Sequence, residues 1–337
     1  MTAIVGNVEP LDEFTHPVGP EPNFNESVYF NFYDRQQRVG GFLRMGNRPN
    51  EGRGEMTVCL FTLSDGRLLF RFERPEVRDN QRFQGGGMRV EVVQPLEHLV
   101  TAFEGTVYAL ASPQLLLDPK RAFSDSPQVP LSLHLHHWAA GPLYGHKEGA
   151  ARPPGDTAPP QLYERDPQMG AASHFEQHTR VEGTLVVAGV ERPIAGLGLR
   201  DHSWGPRTWQ QIPPYLWFTC DFQPGFGLTG LVVWDAASGR PLRAGGMVCR
   251  QQTVEAVVQA QVEPSYADPE RFFLAGYRAR LLLASGERLE LQAQALAVAP
   301  LRNRRDGRVT YLGEALTEFR YGGLTGFGLT EYLRQGP

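Results

Sequence analysis

The sequence predicts an all-β protein with little helix. Glycine and proline are abundant, at 37 and 27 of 337 residues, and short apolar runs recur between clusters of turn-forming residues, as in successive hairpins. The clearest run is Leu-Glu-Leu-Gln-Ala-Gln-Ala at 289–295, whose period of two separates an apolar face from a polar face. Helical periodicity is weak along the chain.

The first half of the chain contains a series of predicted strands. Each is rich in aliphatic, aromatic or β-branched residues and ends at a turn signal. The segment Ser64-Asp65-Gly66 joins two of them as a tight hairpin turn. The predicted strands cover residues 27–33, 41–45, 56–62, 67–72, 88–93, 107–110 and 131–138.

The second half repeats this pattern. One short helical turn is predicted at 268–274, with Asp268 as its cap and Pro269 at its first position. The predicted strands cover residues 180–188, 215–222, 228–234, 279–283, 288–296, 309–318 and 327–333.

The length of the chain indicates two domains, because 337 residues exceed what one hydrophobic core usually supports. A Pro-rich stretch between them offers few apolar anchors and many residues that cannot join a sheet. We predict an N-terminal β domain at 1–150, a linker at 151–170 and a C-terminal β domain at 171–337. The strand number fits two sandwiches or two small barrels, and closure into barrels removes exposed sheet edges.

Composition excludes several classes of protein. A net charge of −4 with 21% charged residues offers nothing that attracts nucleic acid. No basic run precedes an apolar stretch at the N-terminus, and no segment approaches the ~20 apolar residues of a transmembrane helix. Cys59, Cys220 and Cys249 are odd in number and lie far apart in apolar runs. We therefore expect a cytoplasmic protein with reduced core cysteines.

Ionisable and aromatic residues are most concentrated in the segment 198–209, Gly-Leu-Arg-Asp-His-Ser-Trp-Gly-Pro-Arg-Thr-Trp. If this segment is extended, His202 and Trp204 share one face and Asp201 points to the other. In a functional interpretation, His202 handles water and Trp204 lines an apolar cavity, where its ring stabilises a developing cation. In the structural alternative, Arg200 and Asp201 form a buried pair and Trp204 is a core residue. The sequence leaves both open.

The following strand, 215–222, also has two different faces. Tyr215, Trp217 and Asp221 lie on one face, and four apolar residues lie on the other. Desolvation among aromatic rings would raise the pKa of Asp221 and let it act as an acid near neutral pH. Alternatively, Asp221 only opens the turn at 221–225.

Metal and nucleotide patterns are weak. His134 and His136 share a strand face, a spacing at which two imidazoles can bind one metal, with His174 or His178 as a third ligand. Surface histidines are the favoured interpretation. The glycine pattern at 225–230 leads into a predicted strand and not into a helix, and no Gly-x-Ser-x-Gly elbow is present. We expect neither a metal nor a cofactor.

The motif Arg-Asp-His-Ser-Trp-Gly-Pro-Arg at 200–207, with His-Phe-Glu-Gln at 174–177 and Val-Glu-Gly at 181–183, resembles the tandem lipocalin-like proteins of the carotenoid hydratase (hydroxyneurosporene synthase) superfamily. The segments 25–30 and 326–332 resemble those of a bacterial branch of that superfamily. The resemblance spans nearly the whole chain. It implies two calycin-type barrels or half-barrels packed side by side, with a ligand cavity in or between them.

The resemblance also implies a chemistry. In these hydratases a histidine and a tryptophan two residues apart, with a tyrosine and an aspartate nearby, protonate an isoprenoid double bond and deliver water. His202 and Trp204 match the first pair. Relatives include cofactor-free cyclases. The leading hypothesis is therefore a cofactor-independent hydratase- or cyclase-type lyase or isomerase acting on an isoprenoid or polyene.

The hypothesis assigns roles to nine residues and leaves two alternatives. A lipocalin-style carrier would bind a lipid or aromatic ligand without converting it, and a scaffold would have barrels filled with side chains. The expected partner is a hydrophobic small molecule, and a homodimer is left open. The predicted catalytic residues are Asp201, His202 and Asp221, and the predicted substrate-binding residues are Trp204, Trp209, Tyr215, Trp217, Arg207 and Glu176.

Overall fold

The structure, a computed structural model, describes residues 2–148 and 173–336. The predicted linker at 151–170 lies outside the described residues. Within them the protein is all-β, as predicted, with one seven-residue α-helix, α1 (Pro119–Asp125). At 268–274 the predicted turn is present but it is not helical: the Asp268 carboxylate caps it, as predicted, by accepting the Phe272 and Phe273 N–H groups, and a strand already begins at Leu274.

A first, twelve-stranded sheet contains most of the N-terminal half and, unexpectedly, the motif. Its strands are antiparallel except for the first, which pairs in parallel with the tenth. In chain order they are β1 (Ile4–Gly6), β2 (Phe24–Asp34), β3 (Val39–Arg48), β4 (Arg53–Thr62), β5 (Arg67–Glu73), β6 (Gln84–Gly85), β7 (Met88–Gln94), β8 (His98–Leu110), β9 (Gln128–Ala139), β10 (Leu143–His146), β11 (Ser173–Val187) and β12 (Val190–Pro206).

Strand pairing in this sheet closes into a ring. Strand β9 pairs with β8 on one side and with β11 on the other. From β11 the pairing continues through β12, β2, β3, β4 and β5 back to β8. The ring encloses buried apolar side chains such as Phe30, Leu43, Val58, Phe103 and Leu135.

The remaining eight strands form a closed antiparallel barrel. Inward and outward residues alternate as the sequence predicted, so that Leu289 and Leu291 are buried and Glu290 is exposed. Leu216, Phe218 and Phe319 fill the interior. The strands are β13 (Tyr215–Gln223), β14 (Phe226–Trp234), β15 (Pro241–Arg250), β16 (Thr253–Tyr266), β17 (Leu274–Leu283), β18 (Arg288–Arg305), β19 (Arg308–Tyr321) and β20 (Leu324–Gln335).

The strand pairing corrects the position predicted for the motif. The sequence placed residues 200–207 in a C-terminal domain, but β11 and β12 pair with each other and β12 pairs with β2 of the first sheet. Gly198 permits this close approach, because a Cβ there would overlap the carbonyl oxygen of Asn31. Sequence order alone misassigned these strands, since a strand's partners are set by register and packing.

Other local predictions are confirmed. Gly66 has φ +71° in the turn between β4 and β5, and Gly225 has φ +76° in the turn between β13 and β14, so the glycine pattern at 225–230 is a hairpin element. The three cysteines are free and buried. No helix in the described residues is long and apolar enough to cross a membrane.

An apolar layer joins the outer faces of the two sheets. Tyr33 and Phe42 of the first sheet belong to the same buried cluster as Leu316 and Leu329 of the barrel. Next to this layer the two faces separate and leave a cavity.

Candidate functional site

The cavity between the sheets has a volume of about 550 Å³. Strands β2 to β5 and β10 to β12 contribute to one wall, and barrel strands contribute to the other. Both rings are filled by side chains, so this space lies between them. The aromatic lining residues are Tyr29, Phe42, Phe70, Phe72, Phe123, Tyr144, Trp209, Tyr215 and Trp217. The ionisable lining residues include Arg44, Glu55, His174, Glu176, Asp201, Arg207, Glu314 and Glu331.

Six of the nine residues predicted from the sequence line this cavity. The motif strand β12 presents Asp201 to it, and the alternation of side chains turns His202 and Trp204 to the opposite face. The two faces are separated as predicted, but catalytic or binding roles were predicted for residues on both faces, and only the face of Asp201 lines the cavity. The lining includes Asp201, Trp209, Tyr215, Trp217, Arg207 and Glu176, and excludes His202, Trp204 and Asp221.

His202 belongs to a buried cluster with Glu26 and His16. One oxygen of Glu26 lies 2.6 Å from Nδ1 of His16 and 2.8 Å from Nε2 of His202. Burial alone would raise the pKa of Glu26, but hydrogen bonds from both imidazoles and their charges lower it to about 2. The ring of His16 stacks on Trp204 at 3.9 Å between centroids. These contacts give His202 and Trp204 a structural role in holding the N-terminal segment.

Arg200 also has a structural role, with a partner that the sequence analysis did not name. Its guanidinium binds both oxygens of Glu13 at 2.7 and 2.8 Å and donates to Gln177 at 2.8 Å. Both charged side chains are almost fully buried. The expected alternative pair of Arg200 with Asp201 is therefore wrong, since Asp201 points to the opposite face of the strand.

The outer face of β13 meets the first sheet along its length. Trp217 Nε1 donates to Glu176 at 3.0 Å, and Thr219 Oγ1 accepts from Asn31. Asp221 pairs with His178 at 2.8 Å, outside the cavity lining. Burial raises the pKa of Asp221, although His178 opposes the effect. The predicted pKa direction is therefore confirmed, but this carboxyl faces an imidazole and not the cavity.

Three ionisable groups meet in the cavity wall. His174 and Glu176 lie two residues apart on β11, and the register of β11 and β12 places Asp201 opposite Glu176. Nε2 of His174 hydrogen-bonds Asp201 and lies 3.5 Å from Glu176. Tyr144 donates to Glu176 at 2.6 Å. We call His174, Glu176 and Asp201 the acid–base cluster.

Protonation in this cluster is set by burial and by the two carboxylates. Burial lowers the pKa of His174, but the charge and hydrogen bond of Asp201 raise it above its ordinary value overall. Burial also raises the pKa of Glu176, against the opposing charge of His174. Both shifts favour the protonated forms of His174 and Glu176.

Two arginines flank an indole at the edge of the cavity. The guanidinium carbons of Arg44 and Arg207 lie 5.8 and 5.6 Å from the ring centroid of Trp209. Arg207 donates to Ser203 at 2.9 Å. Burial, with the nearby charge of Arg44, lowers the pKa of Arg207 to about 10. These residues carry positive charge next to Asp201.

Sequence reasoning missed Tyr29, Glu314 and Glu331. Glu314 and Glu331 face each other across β19 and β20, and Tyr215 donates a hydrogen bond to Glu331. Burial and the charge of Glu331 raise the pKa of Glu314 well above its usual range. The sequence does contain a signal for Glu314, because this residue lies on the same strand face as Leu312 and Leu316. Burying an ionisable side chain on an apolar face is energetically costly and therefore indicates a functional or paired residue.

Among residues 2–148 and 173–336, two clusters have the donors that a cation requires. The ligand atoms within each cluster lie within 4.8 Å of one another, but direct hydrogen bonds already account for both arrangements. The first is His16, Glu26 and His202, and the second is the acid–base cluster. The pair considered from the sequence, His134 and His136, has ring centroids 5.0 Å apart, and His136 hydrogen-bonds His98.

Comparisons with known proteins support the fold. Residues 9–336 match the model of a family described as a domain of unknown function, DUF7064. No curated protein matches by sequence. Kievitone hydratase from Nectria haematococca superposes with a TM-score of 0.56 at 11% identity, over 97% of this chain and 92% of that one.

Two further solved structures are similar. A Nitrosomonas europaea protein described as an AttH gives a TM-score of 0.55 at 12% identity, over 92% of each chain. CghA in complex with Sch210972 gives 0.56 at 12% identity, over 93% of this chain and 89% of that one. At these identities the likeness shows a shared all-β fold.

Proposed function

This chain belongs to the DUF7064 family, and we propose that it is a cofactor-independent enzyme of the hydratase or cyclase type acting on a hydrophobic isoprenoid or polyene. The observation that carries the proposal is the acid–base cluster in the wall of a cavity of about 550 Å³ that nine aromatic side chains help to line. Apolar walls favour burial of a hydrocarbon chain, and the cluster supplies a proton where the chain would lie. The fold shared with a protein named kievitone hydratase is consistent with this proposal.

The proposed chemistry begins with proton transfer. A proton moves from the acid–base cluster to one carbon of a substrate double bond, and the π electron pair forms the new C–H bond. The other carbon becomes cationic and is stabilised by the faces of aromatic rings such as Trp217. In hydration, a water oxygen attacks this carbon and its released proton returns to the cluster. In cyclisation, a second double bond attacks and a neighbouring C–H proton returns instead.

Within this proposal Asp201 and His174 act as a pair. The carboxylate of Asp201 keeps the imidazole oriented and raises its pKa, as described above. Glu176 is fixed by Tyr144 and Trp217. His202, Trp204 and Asp221 have no part in the chemistry, because none of them lines the cavity.

The chain offers a matched pair of variants for a test. His174–Asp201 and His178–Asp221 are both imidazole–carboxylate pairs anchored on β11. The second pair is buried, whereas the first is partly exposed and lines the cavity. A panel of prenylated phenols, linear terpenoids and polyenes is incubated with the protein, and products are identified by mass. Hydration adds the mass of one water, whereas cyclisation leaves the mass unchanged.

We expect Asp201→Asn to lower kcat for any converted substrate by about 10²–10⁴, the usual contribution of a positioned acid or base. We expect Asp221→Asn to keep kcat within about threefold and to reduce stability instead. Equal loss of kcat in both variants would contradict the proposed site. Binding of panel members without conversion would identify the protein as a carrier.

A further inference from the structure

Among the described residues, three glycines line the cavity from the barrel side, Gly230 of β14 and Gly245 and Gly246 of β15. The surrounding structure requires two of them. A Cβ at Gly230 would lie 2.3 Å from the ring of Phe218. Gly246 has φ +149°, and a Cβ there would lie 2.1 Å from the carbonyl oxygen of Thr229. Any other residue is therefore strained at these two positions.

Gly245 is not required by the backbone or by packing. Its φ lies outside the left-handed region that favours glycine. A Cβ at this position would meet one atom of the described residues within 4 Å, the carbonyl oxygen of Val257 at 3.6 Å, which is an ordinary van der Waals distance. Glycine inside a strand weakens the sheet, and it often marks a position where a ligand approaches the backbone closely.

Strand register places Gly245 in line with the acid–base cluster. On the outer face of the barrel, Trp217 of β13 lies opposite Leu231 of β14, and Leu231 lies opposite Gly245. Directly opposite residues share a face of the sheet, and all three positions line the cavity. Trp217 donates to Glu176 of the cluster at 3.0 Å. A molecule that begins at the cluster and crosses Trp217 and Leu231 therefore reaches Gly245.

The spacing of the strands gives the length of this path. Trp217 and Gly245 are separated by two strand spacings, or about 10 Å, which is about the length of two extended isoprene units. The side chains become smaller along the path, from an indole to an isobutyl group and then to a hydrogen atom. The cavity therefore has the most room above the sheet at the end distant from the cluster.

We propose that Gly245 determines the length of substrate that the cavity accepts, because the end of the substrate distant from the reacting double bond lies against the Gly245 backbone. The inference rests on the proposed function and narrows its substrate to a linear apolar chain that extends about 10 Å beyond that double bond. A side chain at position 245 would occupy the same space and would restrict the cavity to shorter chains.

The test compares farnesol, a linear alcohol of three isoprene units, with geraniol, which has two. Dissociation constants are measured by isothermal titration calorimetry. In wild type the additional unit is buried against Gly245, so we expect farnesol to bind about 10-fold or more tightly than geraniol. We expect this ratio to fall below about threefold in Gly245→Phe and to take an intermediate value in Gly245→Val. The control is Leu242→Phe, at an exposed position of β15 outside the cavity lining, which should keep the wild-type ratio.

Thermal unfolding tests whether the space above Gly245 is empty of protein. The backbone there suits any residue, and β-branched residues favour strands, so Gly245→Val should keep or raise the Tm. A Tm for Gly245→Val that is lower than that of Leu242→Phe by more than about 4 °C would show that the protein itself fills this space, and would overturn the proposal.

The binding data separate this proposal from the proposed function. If wild type binds both alcohols and Gly245→Phe keeps the full preference for farnesol, Gly245 does not contact the ligand; the length restriction is then wrong and the apolar cavity stands. If wild type binds neither alcohol, the result counts against the cavity itself and so against both proposals.

Discussion

Replacement of Glu26 by Gln tests the structural role given to His202. The Glu26 side chain is fully buried, and its carboxylate accepts from His16, from His202, from the His16 backbone N–H at 2.9 Å and from Asn80. A glutamine amide keeps one oxygen and places an N–H group against donors that need an acceptor. The variant therefore leaves buried groups unsatisfied.

The expected magnitude follows from the pKa of Glu26. Its value falls from an ordinary 4.5 to about 2, and each pH unit corresponds to about 1.4 kcal/mol. The ionised carboxylate therefore contributes about 3 kcal/mol to the free energy of unfolding. This figure agrees with the 3–5 kcal/mol typical of breaking a buried ion pair.

The pH dependence of that contribution has a definite sign. Because the folded pKa of Glu26 is depressed, its contribution is complete above about 4.5 and is lost as pH falls towards about 2. The pKa of His16 is raised above 6.5, because hydrogen bonds and charges from Glu26 and Asp12 outweigh burial. The contribution of His16 is complete below 6.5 and is lost as pH rises through its folded pKa. The cluster is therefore most stabilising between pH 4.5 and 6.5.

Equilibrium unfolding in urea at pH 6 and at pH 3 provides the assay. We expect Glu26→Gln to lower the free energy of unfolding by about 3 kcal/mol at pH 6 and by clearly less at pH 3. The control is Glu21→Gln, an exposed glutamate of the same segment, which should change it by less than about 0.5 kcal/mol. Unchanged stability of Glu26→Gln at pH 6, or an equal loss at both pH values, would refute the reasoning.

Two further predictions concern the strand that carries the motif. Gly198→Ala should destabilise the protein by more than about 2 kcal/mol in thermal unfolding, because its Cβ would overlap the Asn31 carbonyl oxygen. The control is Gly245→Ala, whose Cβ would lie 3.6 Å from its nearest atom. In the same assay it should change stability by less than about 1 kcal/mol. Arg200→Met should lower the free energy of unfolding by about 3–5 kcal/mol, because it leaves Glu13 buried and unpaired. Unchanged stability of Arg200→Met would contradict this role, and infrared spectroscopy of the carboxyl bands shows whether Glu13 is ionised or protonated in the variant.

Local patterns allowed much of the fold to be predicted. Alternation identified the buried face of β18, the turn residues located the hairpins at Gly66 and Gly225, and the two faces of residues 200–204 were separated correctly. Each of these features depends on neighbours in sequence. The pairing of β12 with β2 depends on residues about 170 positions apart, and local patterning carries no information about such a partner.

The candidate site was predicted only in part for the same reason. Asp201, Glu176, Tyr215 and Trp217 line the cavity, but the direction in which a strand face points depends on what packs against it. His202 was predicted to be catalytic, because a histidine near a tryptophan is typical of an active site. Its structural role depends on the buried partner Glu26, which lies 176 residues away in the sequence. An acid in an apolar strand face, as at Glu314, is a signal that single sequences do contain.

The central claim is that the cavity between the sheets holds an apolar small molecule, and native mass spectrometry tests it most directly. Protein isolated from its own host is compared with Leu231→Trp, which fills the cavity from the outer face of the barrel, and bound molecules are extracted and identified. We predict one hydrophobic molecule per chain in wild type and none in Leu231→Trp. Wild-type protein that carries no ligand, and that binds no terpenoid, polyene or phenol supplied to it, would contradict the claim.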